Sequence, residues 1–93
     1  MPEFLLELYV SRADERSARR SVECAGIAAD ELTRAGTPVR CVRSIFVPAD
    51  ETCFLLFEAD SIVAVREAAG RAGLSCERIA EAINKSVRER RRT

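Results

Sequence analysis

The 93-residue chain contains no histidine, and that absence removes a large part of enzyme chemistry. Without an imidazole there is no Ser-His-Asp relay, no Cys-His pair and no side chain that ordinarily titrates near neutrality. Hydrolysis by the usual routes is excluded on that ground. Glycine is sparse, with four residues scattered singly, and neither G-x-G-x-x-G nor a Walker-type loop occurs to cradle phosphates. Nucleotide-fuelled chemistry has no place to sit. An excess of one charge is also missing, because fifteen basic residues balance fifteen acidic ones. No overall field draws the chain to nucleic acid or to anionic lipid. No apolar run approaches the roughly 18 residues that suggest a membrane span, and no basic-then-apolar leader opens the chain. The expectation is a cytoplasmic, soluble protein without nucleic-acid or membrane partners.

What is present is enough for one core. Hydrophobic residues make up 47% of the chain, and a chain of this length forms a single domain at the small end of the usual range. Cys24, Cys41, Cys53 and Cys76 lie far apart with no C-x-x-C spacing, and no histidine completes a zinc set. Free, buried thiols are the expectation.

The periodicity is clear along most of the chain. Phe4 to Val10 alternates, with Phe4, Leu6, Leu8 and Val10 on one face and Leu5, Glu7 and Tyr9 on the other, as in a strand. Ser11 followed by Asp14 resembles a capping box, after which Ala18, Val22, Ala25, Ala29 and Leu32 form one helical stripe that stops at Gly36. Val39 to Val47 and Thr52 to Phe57 are strands separated by a short turn around Pro48, Ala49 and Asp50. Asp60 or Ser61 caps a second helix whose inward stripe is Ile62, Val65, Ala69 and Ala72, with Gly73 as the stop. Cys76 to Ile83 suits either a helix or a strand, and the architecture favours a strand that closes the sheet. Residues 1–84 then form one domain and 85–93 a polar, basic tail.

The order β-α-β-β-α-β predicts an α+β, ferredoxin-like antiparallel sheet with both helices on one face. The third strand is apolar on both faces, so the face without helices needs a cover. A second copy of the chain supplies one, giving a homodimer of the dimeric α/β-barrel type with a cavity between the sheets.

Chemistry is expected on that open face. A three-residue loop places Arg43 opposite Leu55, Cys53 opposite Ile45 and Cys41 opposite Phe57. Cys41 and Cys53 then sit several pairs apart, too far for a disulfide, whose Cα atoms approach within roughly 7 Å. Glu7, Tyr9, Arg43, Leu55 and Phe57 are the candidate ligand-binding residues. Arg43 is either the partner of Glu7 in an ion pair or the anchor for an anionic ligand group, with Glu7 or Tyr9 handling a proton. Cys53 reads as packing rather than as a nucleophile.

The segments VRSIFVPAD, FEADSIVAVREAAGRAGL and MPEFLLE resemble a family of small bacterial proteins of mostly unknown function. Its characterised members look like ferredoxin-like dimers that bind nickel. The resemblance spans roughly residues 1 to 83 and rests on the V-R-x-x-x-S strand, the P-x-D turn, the E-A that ends the third strand and the A-V-R-E-A-A-x-R-A-G-L helix. Where many relatives have His before the serine of the second strand, this chain has Arg43 before Ser44. Where they have Cys two places before the aromatic that precedes E-A, it has Leu55. Arg does not give up its proton to become a ligand and Leu has no donor, so the resemblance implies a member that has lost the family metal site. Glu7 matches a family glutamate, and Glu7, Cys53 or residues related by the dimer are the remaining candidate metal ligands. The expectation is therefore a small dimeric binding protein with no cofactor and an unidentified small-molecule ligand. The alternatives are a nickel-binding protein like its relatives, or a cofactor-free isomerase, cyclase or monooxygenase-like enzyme.

Overall fold

The computed structural model describes residues 1–83; the basic tail expected at 85–93 lies outside them. Strand β1 (Glu3–Tyr9) is followed by helix α1 (Glu15–Arg34), strand β2 (Val39–Val47), a 3₁₀ turn (Pro48–Asp50), strand β3 (Thr52–Ala59), helix α2 (Ile62–Ala72) and strand β4 (Cys76–Ala82). The strands lie in the order β2-β3-β1-β4, and every neighbouring pair is antiparallel. Each helix thus carries the chain over one strand and returns it two places away, the ferredoxin-like arrangement anticipated from the pattern. The ambiguous segment after Cys76 is a strand because β1 offers it an unpaired edge. Among the described residues no helix is long and apolar enough to cross a membrane.

The strict alternation of β1 and β3 reports which face the helices cover. Phe4, Leu6 and Leu8 of β1 and Cys53, Leu55, Phe57 and Ala59 of β3 are buried, with the residues between them only half-buried or exposed. Beneath them α1 contributes Ala18, Ala25, Ala29 and Leu32, and α2 contributes Ala64, Val65, Ala68 and Ala69. The sheet supplies bulk and the helices supply small side chains, which lets both helices approach the strands closely. Burying each large strand residue stabilises the fold by about 1.5–3 kcal/mol.

The helix ends follow local chemistry. Asp14, not Ser11, is the N-cap of α1, its carboxylate accepting from Ser17 N at 3.0 Å. Ser11 lies in the preceding turn, accepting from Ala13 N at 3.3 Å. Ser61 caps α2, accepting from Ala64 N at 3.4 Å. Gly36 and Gly73 take positive φ after the two helices, where a Cβ would be strained. The inward stripes differ slightly from the periodic reading. Ala28 joins α1 with Val22 only partly buried, and Ala64 and Ala68 stand on α2 where Ala72 was expected.

The β2–β3 hairpin departs from the expected register. Its loop contains four residues, because Glu51 adopts a left-handed conformation (φ 50°) and Val47 pairs with Thr52. Further along β2 the register shifts again between Cys41 and Arg43, leaving Val42 as an extra residue in a bulge. The two displacements cancel beyond Val42, so Cys41 does face Phe57 as anticipated.

Candidate functional site on the open sheet face

Among the described residues no helix covers the second face of the sheet, and the pairing arranges its side chains in rows. Across β2, β3, β1 and β4, one row runs Arg40, Glu58, Glu3, Ala82. The next runs Arg43, Leu56, Leu5, Ala80, and the third Ile45, Phe54, Glu7, Arg78. Val47, Thr52 and Tyr9 close the face at the turn end. Its centre is therefore aliphatic and aromatic, edged by charge. Ile45 remains 52% exposed and Tyr9 58%, so the rows are open to whatever binds there.

The expected site residues divide between the two faces. Glu7, Tyr9 and Arg43 are on the open face. Leu55 and Phe57 are completely buried and Cys53 nearly so, all under the helices, and none of the three lines the open face. The correction comes from register: β1 pairs Glu7 with Phe54 and Leu5 with Leu56, so the even-numbered residues of β3 share the face of Glu7. Arg43 faces Leu56 and not Leu55, while Leu55 is opposite Ser44 and Cys53 opposite Phe46.

The electrostatics also differ from the expectation. Glu7 is not joined to Arg43. Its Oε2 accepts from Arg78 Nη1 at 3.4 Å across the β1–β4 pair, and Arg43 lies one row away and two strands over. Arg43 is exposed and forms no ion pair with any described residue. Arg40 is bound to Glu58 at 3.1 Å. At the opposite corner a hollow of about 300 Å³ is bordered by Glu7, Tyr9, Asp50, Glu51 and Glu77. The face is thus polarised, with the exposed guanidinium of Arg43 on its β2 edge and carboxylates gathered around Tyr9.

The residues present do not fit a nickel ion. Cys53 and Glu7 are on opposite faces of the sheet, so these two donors cannot share a metal. Among the described residues no three of Cys, Asp and Glu converge as ligands. All four cysteines are free. Burial, and secondarily the neighbouring Cys53, pushes the Cys41 thiol up, and burial pushes Cys53 up, which keeps both protonated rather than as the thiolates that bind soft metals.

The residues that sequence reasoning missed are Leu5, Ile45, Phe54, Leu56 and Arg78. Their signal was alternation on β1 carried across the correct register, and that register depends on a loop residue and a bulge.

No family model and no curated protein matches the chain. Among solved structures, the crystal structure of SCO4226 from Streptomyces coelicolor A3(2) has a similar fold, with a TM-score of 0.60 and 18% sequence identity over 90% of this chain and 99% of that one.

Proposed function

We propose that the chain is a small dimeric binding module, related to the nickel-binding family its strands and second helix resemble but lacking that family's metal site. The observation that carries this reading is the open sheet face. Leu5, Ile45, Phe54 and Leu56 form a contiguous apolar centre on it, with a guanidinium at one edge that has no partner among the described residues. Apolar surface of this kind is removed from water most simply by a second copy of the same face, and a two-fold contact is self-complementary. Where two twisted sheets meet, the space near Arg43 takes a small ligand with an anionic group, held by a charge-assisted hydrogen bond. The carboxylates around Tyr9 repel that anionic end and accept donors from the other end of the ligand. Anchoring, not proton transfer, is the role of Arg43, since guanidinium remains charged throughout the usable pH range.

Sedimentation equilibrium and a thermal-shift screen of small anionic metabolites test the two halves. The expected result is a dimer whose Tm rises with at least one anion, with Arg43→Gln removing the rise while leaving the dimer intact. A monomer at tens of micromolar protein, or a shift unchanged by Arg43→Gln, overturns the reading.

A further inference from the structure

The layer of helices does not close completely over the sheet. Between the first turns of α1 and strand β2 lies a cleft of about 240 Å³ lined by Glu15, Ala18, Arg19, Val22, Ser44, Phe46 and Cys53. It is on the helix side, because Ser44 and Phe46 pair with the buried Leu55 and Cys53. Ser44 faces the helices and is nevertheless exposed, which marks the place where α1 fails to reach the edge strand. Small side chains create the room: Ala18 on the helix, Ser44 and Cys53 on the sheet.

We propose that this cleft is a second binding site, separate from the open face, for a small zwitterion carrying an apolar side chain, the chemistry of a free apolar α-amino acid. The inner wall, formed by Ala18, Val22, Phe46 and Cys53, is apolar and suits an aliphatic or thioether group. The rim carries one charge of each sign, Arg19 Nη2 lying 3.2 Å from Glu15 Oε2, with the Ser44 hydroxyl nearby. A lone anion at Arg19 would meet Glu15, and a lone cation at Glu15 would meet Arg19. A zwitterion answers both, its carboxylate on Arg19 and its ammonium on Glu15. Both rim side chains are largely exposed, at 68% and 75%, and an exposed pair of this kind contributes little and opens readily. The volume falls below the roughly 300–1,000 Å³ of sites for drug-sized ligands, which favours an amino-acid-sized occupant.

The test is an NMR titration of the ¹⁵N-labelled full chain with L-leucine, L-methionine and L-phenylalanine. Isoamylamine, which lacks the carboxylate, and 4-methylpentanoate, which lacks the ammonium, serve as controls. At least one amino acid is expected to shift the amides of Ala18, Val22, Ser44 and Phe46, and to bind about tenfold more tightly than either control, as a hydrogen bond to a charged group warrants. Arg19→Gln, at an exposed helical position, is expected to lower the affinity by about tenfold, and Ser44→Leu to fill the cleft and abolish binding. Absence of localised shifts at millimolar ligand, equal binding of a control, or binding unaltered in Arg19→Gln overturns the proposal. Should Ser44→Leu not fold, Arg19→Gln decides alone. None of these residues lies on the open face, so the outcome is independent of whether that face dimerises or binds an anion.

Discussion

Arg78 Nη1 lies 3.4 Å from Glu7 Oε2, joining strand β1 to the edge strand β4 beside the apolar centre of the open face. In an isolated subunit the Arg78 side chain is 68% exposed and that of Glu7 29%, so water screens the pair. A double-mutant cycle of Glu7→Gln and Arg78→Gln, followed by urea unfolding of dilute protein, is expected to give a coupling below about 1 kcal/mol. If a second copy covers the face, removing only one partner strands a charge in the contact. The single variants are then expected to weaken self-association more than the double variant does, as sedimentation will show.

Leu55 and Leu56 are adjacent on β3 and face opposite ways, the first wholly buried beneath the helices and the second on the open face. Leu55→Ala is expected to lower stability by about 2–5 kcal/mol, the range for a buried leucine that leaves a cavity. Leu56→Ala is expected to cost much less in folding and, if a second copy covers the face, to weaken self-association. Chemical unfolding and sedimentation together separate the two effects.

The thiols impose a pH dependence. Burial raises the pKa of both Cys41 and Cys53 in the folded state, so the native protein retains those protons at a pH where the unfolded chain has begun to lose them. Fewer protons on the unfolded state mean that stability falls as pH rises, beginning near the ordinary thiol pKa of about 8.5. Urea midpoints measured under reducing conditions are expected to decline from pH 8 to pH 10, and Cys53→Ala to reduce that slope. At neutral pH a thiol reagent is expected to modify exposed Cys76 before Cys53.

Glu51 is the one non-glycine residue with positive φ among those described, and its position is held by several contacts. Its carbonyl accepts from Val10 N at 3.0 Å, and its carboxylate accepts from Arg12 N at 3.0 Å. Glycine at this site relieves the left-handed strain but loses the link to Arg12, so Glu51→Gly is expected to fall within about 0.5 kcal/mol of the parent. Glu51→Val loses the link and adds a β-branched clash, and is expected to cost about 2 kcal/mol in urea unfolding.

Much of the fold could be read before any coordinates, and the reasons are specific. Phe4, Leu6 and Leu8 alternate cleanly because one face of β1 is buried; Gly36 and Gly73 stand where φ turns positive; Ser61 sits where α2 needs a cap. The faces were harder. Cys41, Val42 and Arg43 all suit a strand, so no residue type announces the bulge, and a glutamate does not advertise a left-handed turn. An error of one residue exchanges the sides of a strand, and that is why Leu55 and Phe57 read as lining a cavity when they are core. Arg43 was placed on the correct side with the wrong neighbour, and the partner of Glu7 came from the last strand, the least certain element in the pattern.

The bulge at Val42 and the extra turn residue Glu51 bound the segment Arg43–Val47 at its two ends. Sliding that segment by one residue would absorb both irregularities and leave Cys41 opposite Phe57, so either irregularity without the other would displace Cys41 from Phe57. In the slipped form Ser44 and Phe46 would turn to the open face, and Arg43 would leave that face for the place of Ser44 at the cleft beside α1. The bulge and the turn together therefore decide which face of the sheet carries the guanidinium of Arg43.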